Sequence, residues 1–128
     1  MNYLLDTHTF LWFIYDNPRI SKKSLSILRN PRNDIYLSST VAWEIAIKEN
    51  IGKIEIHTSL NDLITQSLET YNFITLPVSL AHAIKVGTLP SIHRDPFDRI
   101  LVAQAMVENL TILTSDPFIK KYKVKTAW

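Results

Sequence analysis

Short apolar runs alternate with helix-period stretches along nearly the whole chain, from Tyr3 to Lys125. That alternation favours a parallel sheet flanked by helices, because each strand is followed by a crossover segment. The pattern predicts strands near Tyr3–Leu5, Ile35–Ser38, Phe73–Leu76, Thr111–Leu113 and Val124–Lys125. Helices are predicted at Thr7–Tyr15, Ser21–Leu28, Thr40–Asn50, Leu60–Tyr71, Ser79–Val86 and Pro96–Glu108. Asn50-Ile51-Gly52 closes the third helix, since glycine is favoured just past a helix end. No repeat or composition break divides the 128 residues, so one α/β domain over 1–128 is expected.

In an open α/β sheet, reactive groups collect in the crevice at the carboxyl ends of the strands. Asp6 follows the apolar run Tyr3-Leu4-Leu5, and Asp116 follows Leu110 to Ser115. Glu44 and Asp98 lie on predicted helices. Each acid also has a local explanation. Asp6 fits the N-cap of the first helix, and Asp116 before Pro117 fits a cap with proline at the first helical position. Asp95-Pro96-Phe97-Asp98 resembles a capping box, and Glu44 with Lys48 has the spacing of a surface ion pair. Yet Glu44 shares a helix face with Val41 and Ile47, where a buried carboxylate is costly without a partner. Four carboxylates in one crevice repel one another unless a cation is present, and hard oxygen ligands favour Mg²⁺ or Mn²⁺. The pattern points to metal-dependent phosphodiester cleavage.

The chain has no cysteine, which excludes a disulfide framework and thiolate metal sites. No apolar run approaches the roughly 18–20 residues a membrane span needs, and no signal-peptide pattern opens the chain. A cytoplasmic protein without membrane attachment is the simplest reading. Net charge is only +2, but with four of 12 acids in a pocket, 14 basic residues stand against the other eight. Lys22, Lys23, Arg29 and Arg32 form one basic group, and Lys120, Lys121, Lys123 and Lys125 another. Such a rim attracts a polyanion, although the same lysines serve equally to solvate a surface. Phe10 to Tyr15 is apolar all round a helix, which is then wholly buried or turned toward another chain.

Four segments carry a family resemblance. Leu4-Leu5-Asp6-Thr7-His8-Thr9-Phe10-Leu11-Trp12 resembles the opening of PIN-domain nucleases, particularly the VapC-type toxins. Ser38 to Lys48, containing Trp43-Glu44, resembles their second motif, and His93 to Ala105, containing Asp95-Pro96-Phe97-Asp98, their third. Leu113-Thr114-Ser115-Asp116 is similar to the fourth. Each motif is short, but four in this order are specific.

The resemblance implies a three-layer α/β/α domain with a central parallel sheet and Mg²⁺-dependent endoribonuclease activity. It makes Asp6, Glu44, Asp98 and Asp116 the catalytic, metal-binding acids, with Mn²⁺ as an alternative ion. Thr7 and Thr114 or Ser115 become supporting hydroxyls. Asp95 is a second candidate beside Asp98, here read as the helix cap. The implied chemistry is hydrolysis of RNA by metal-activated water. The implied partner is a cognate antitoxin, which inserts a segment into the site; a homodimer is expected beside it from the aromatic first helix. The first aromatic helix is a candidate for either contact.

Arg94 and Arg99 flank Asp98, where they could contact the scissile phosphate or pair with the acids. His8, His57, His82 and His93 are not spaced as a metal cluster and read as polar or packing residues, His93 being the one nearest a motif. Haloacid-dehalogenase-like phosphatases want a second aspartate where His8 stands, receiver domains want paired acids near the first strand, and a P-loop is missing. A housekeeping PIN nuclease acting on RNA or structured DNA, or a non-catalytic nucleic-acid-binding PIN domain, is the alternative.

Overall fold

The structure is a computed structural model that describes residues 1–128. Five parallel strands form one sheet: β1 (Asn2–Leu5), β2 (Asp34–Ser38), β3 (Ile74–Leu76), β4 (Thr111–Leu113) and β5 (Thr126–Ala127). Their order across the sheet is β3-β2-β1-β4-β5. Six α-helices fill the crossovers: α1 (Thr7–Ile14), α2 (Lys22–Arg29), α3 (Ser39–Asn50), α4 (Leu60–Tyr71), α5 (Leu80–Val86) and α6 (Pro96–Glu108). A 3₁₀ turn at Ile119–Lys121 precedes β5.

Central β1 explains why its sequence runs apolar instead of alternating. Tyr3, Leu4 and Leu5 point to opposite faces in turn, and all three are buried. Both faces of the sheet are therefore covered, giving the expected three layers. Leu4, Leu5, Ile112 and Leu113 meet Phe10, Ile45, Leu101 and Val102 in one core. Each fully buried side chain of this kind contributes roughly 1.5–3 kcal/mol through removal of apolar surface from water.

Helix starts follow from short polar side chains. Asp6 accepts from Thr9 N at 2.8 Å, Ser38 from Thr40 N at 3.0 Å and Asp95 from Phe97 N at 2.9 Å. Each such cap is worth about 1 kcal/mol. Asn72 and Asn109 end α4 and α6 in the left-handed region, a conformation asparagine tolerates better than most residues.

Sheet order places the site. From β1 the chain steps outward to β2 and β3, then returns to the other side of β1 for β4 and β5. The direction of winding changes between β1 and β4, which opens a crevice at their carboxyl ends. Leu5 is in register with Leu113, so the residues that follow, Asp6 and Thr114, leave the sheet side by side.

One expectation changes and two others become more definite. The last strand is Thr126–Ala127 and not Val124–Lys125, because Val124 N is held in a turn by Tyr122 O at 2.9 Å. The apolar circumference of α1 is used mainly within the chain. Phe10 and Phe13 enter the core, while half-buried Trp12 meets Trp128 edge-on at 5.9 Å and carries the Arg19 guanidinium at 5.9 Å. Arg29 and Arg32 flank the start of β2, at the end of the strands away from the crevice, so these two do not rim it. No helix is long and apolar enough to cross a membrane.

Candidate metal centre

Asp6, Glu44, Asp98 and Asp116 line a single cleft of about 210 Å³, together with Thr7, His8, Lys48, His93, Asp95 and Phe118. They arrive from four places. Asp6 is the cap joining β1 to α1, Glu44 lies mid-way along α3, Asp98 sits in the first turn of α6 and Asp116 follows β4. Two are almost sealed from solvent: Asp6 is 5 % exposed and Glu44 2 %.

Each acid is held by partners of its own. Asp6 keeps its capping bond to Thr9 N, and its other oxygen accepts the Thr114 hydroxyl. Glu44 accepts the Thr7 hydroxyl at 2.5 Å and pairs with the Lys48 ammonium one turn along α3. The i,i+4 pair and the cleft acid are thus one and the same residue, and Lys48 belongs to the site. Asp116 accepts from Phe118 N at 2.7 Å and Ile119 N at 3.3 Å, and the helix expected after Pro117 shrinks to the 3₁₀ turn at Ile119–Lys121. The capping box of α6 is not closed. Asp95 caps alone, while Asp98 Oδ2 lies 3.0 Å from His93 Nε2.

Burial sets the electrostatics first, and like charge adds to it at Asp98. The Asp98 carboxyl is pushed up to about 8, first by burial and then by the carboxylates of Asp95, Asp116, Glu44 and Asp6. Burial also raises Asp6, against the lowering effect of its hydrogen bonds to Thr114 and Thr9. Burial alone would depress Lys48, but its hydrogen bond and charge attraction to Glu44 outweigh that and leave it raised. The cleft is short of positive charge. Most of its donors are hard oxygens; the ligand atoms within 4.8 Å of one another are those of Asp98, Asp116 and the His93 ring nitrogen, a group that leaves out Asp6 and Glu44. The residues present fit a divalent cation of the Mg²⁺ or Mn²⁺ kind.

Two cleft residues, Phe118 and Lys48, were not legible as such. His93, read as a polar or packing residue but as the histidine nearest a motif, lines the cleft: its loop folds back so that its ring meets Asp98 and stacks on Phe118. Phe118 carried no signal beyond its place two residues after Asp116. Arg99 departs from both roles expected of it. Its guanidinium donates to the carbonyls of Pro90 and Val86 and to the Tyr122 hydroxyl, and that hydroxyl also accepts from His93 N. Arg99 therefore braces the loop that delivers His93. Arg94 is exposed and Ser115 half-buried. Ile47 and Ile51 do not share the buried face of Glu44 but are 40 % and 60 % exposed.

A larger cavity, about 410 Å³, opens beside Asn33, Asp34 and Ile35 at the other end of β2. It lies away from the winding reversal and gathers no comparable set of acids, so the smaller cleft is the candidate site.

Comparison with known proteins bears on the family and the fold. A family profile described as "PIN domain" matches residues 3–125. None of the curated proteins compared with the sequence matches it. Among solved structures, the chain is similar to one from VapBC2 of Rickettsia felis bound to a DNA fragment from its promoter. The identity is 20 %, with 100 % of this chain and 99 % of that one covered, at a TM-score of 0.75. DNA-bound VapBC from Salmonella typhimurium gives 15 % identity, coverage of 99 % and 97 %, and a TM-score of 0.67. VapBC-1 from nontypeable Haemophilus influenzae gives 18 %, 99 %, 97 % and 0.64 in the same order. At these identities the likeness speaks for the fold. With its acids on that fold and a profile spanning nearly its whole length, the chain belongs to the PIN-domain family.

Proposed function

We propose that this chain is a Mg²⁺-dependent endoribonuclease, the toxin of a toxin–antitoxin pair. The observation that carries the reading is the cleft itself: four acids from four places in the chain line it, and burial, followed by the neighbouring carboxylates, pushes the Asp98 carboxyl up to about 8. Membership of the PIN-domain family and the fold shared with VapBC structures support it. Asp98 and Asp116 are the proposed direct ligands, with Asp6 and Glu44 completing the acidic set. A divalent ion in such a cleft supplies positive charge to a phosphoryl oxygen and acidifies water at neutral pH.

The chain's own residues do the rest. Thr114 and Thr9 fix both oxygens of Asp6, and Thr7 fixes Glu44, so little reorganisation is left for the moment of reaction. Lys48 offsets the charge of Glu44, which lessens the repulsion an approaching phosphate meets. RNA with unpaired bases is the proposed substrate, because single strands expose base faces that a duplex conceals.

The proposed protein partners are an antitoxin and a second copy of the chain. Exposed apolar residues support both: Trp43 and Ile47 on α3 with Ile51 just past its end, and Leu80 and Ile84, 78 % and 65 % exposed, on α5. Light scattering on Ile84→Glu tests the second contact, with dissociation to monomer expected.

Activity is tested with a single-stranded RNA incubated in Mg²⁺, in EDTA, and with Asp6→Asn. Cleavage is expected only in the first. Loss in the variant should exceed the roughly 10–100-fold typical of removing an outer-sphere partner of a metal. Cleavage that continues equally in all three rejects the nuclease reading.

A further inference from the structure

We propose that Phe118, with the His93 ring stacked on it, is a base-stacking platform that holds an unpaired nucleobase next to the phosphate in the acid cleft. This rests on the nuclease reading above. The chain has five phenylalanines. Phe10, Phe13, Phe73 and Phe97 are buried, whereas Phe118 is 43 % exposed at the cleft that holds the acids. Its ring is not loose. The Phe118 backbone N–H donates to Asp116 Oδ1 at 2.7 Å, and the His93 ring lies nearly parallel to it, 13° off, with centroids 4.7 Å apart.

Those two contacts tie the platform to the acids from both sides. Phe118 is anchored through Asp116, and His93 through Asp98 at 3.0 Å. A base resting on the exposed part of the ring is thereby set against the phosphate position that Asp98 and Asp116 define. Lys121 adds charge, with its Nζ 5.0 Å from the Phe118 centroid on an exposed, flexible stem. An incoming base can displace that ammonium, which is then free to meet the backbone of the strand. An aromatic face beside a cation is the arrangement that binds single strands with little regard to sequence, because every base has a π-face. Paired bases already stack on their neighbours, so the platform selects unpaired ones.

The test uses a uridine oligoribonucleotide carrying one 2-aminopurine, moved position by position, and its counterpart with an abasic nucleotide at the same place. Ca²⁺ replaces Mg²⁺ so that binding is read without need of turnover. The account expects 2-aminopurine fluorescence to be quenched by the wild-type chain at one position. Phe118→Ala should abolish the quench and weaken binding by about 5- to 100-fold, and Phe118→Trp should restore both. The abasic change should weaken wild-type binding to the same degree and leave Phe118→Ala unaffected. Thermal melting confirms that each variant is folded, and Phe118→Leu, which keeps apolar bulk without a ring, should behave as the alanine does. Equal quenching by wild type and Phe118→Ala, an abasic cost shared by both, or no binding by the wild-type chain overturns the platform. The two readings fail separately: quenching without cleavage in Mg²⁺ removes the nuclease and keeps the platform, and cleavage without quenching does the reverse.

Discussion

The hydroxyl of Thr114 donates to the carboxylate of Asp6, joining residues 108 positions apart across the seam between β1 and β4. The same Thr114 oxygen accepts from Asp116 N at 3.0 Å. One buried hydroxyl thus orients two of the four cleft acids. Parallel register brings it there, since Leu5 pairs with Leu113 and each chain continues by one residue.

Thr114→Val keeps the shape and removes both bonds, leaving an Asp6 oxygen buried without a donor. Urea unfolding should show a loss of about 1–3 kcal/mol, and Thr114→Ser should recover most of it.

Asp98 sets a pH dependence in the metal-free protein. Its carboxyl is raised from 3.8 to about 8 in the fold, so between those values the native state binds a proton that the unfolded chain has released. Stability therefore falls as pH rises through this window and levels off above about 8. Solvent at the partly open cleft limits the loss to roughly 2–4 kcal/mol. In EDTA, the difference in Tm between wild type and Asp98→Asn should widen in the variant's favour from pH 5 to pH 8.5. A difference that stays constant across that range contradicts the assignment.

Mg²⁺ and Mn²⁺ should reverse that trend. An ion competes with the Asp98 proton, so its affinity should tighten as pH rises toward 8, and the ion should raise Tm by mass action. At a hundredfold excess over its Kd the stabilisation is about 3 kcal/mol. Differential scanning calorimetry at pH 6 and 8, with and without Mn²⁺, reads both effects, and Asp98→Asn should show neither.

Arg99 is expected to act on structure first. Arg99→Ala frees the carbonyls of Pro90 and Val86 and loosens Tyr122, which holds His93 N. A stability loss of about 1–3 kcal/mol is expected by urea unfolding, with weaker RNA binding as His93 drifts from Phe118. Unchanged stability with a large fall in cleavage rate would instead place Arg99 on the substrate.

Where local chemistry decided the structure, sequence patterning was a good guide. Helices α4 and α6 match their predicted bounds, because Ser59 and Asp95 cap them and Asn72 and Asn109 stop them. The four acids were legible because each stands at a junction or on a helix beside an apolar run, and sheet topology brings such places together. What stayed hidden depends on contacts distant in sequence. The last strand is fixed by Ile112 and Leu113 as neighbours, not by its own two residues. His93 becomes part of the cleft only when Arg99 and Tyr122 fold its loop back. Lys48 was visible as a partner of Glu44, but not as a cation inside the acid cleft.

Anomalous diffraction from crystals grown with Mn²⁺ tests the central claim most directly. The account predicts a peak within the cleft, in contact with Asp98 and Asp116 and bounded by Asp6 and Glu44, that disappears in Asp98→Asn. Crystals with Mn²⁺ bound elsewhere and none among these four acids would contradict it.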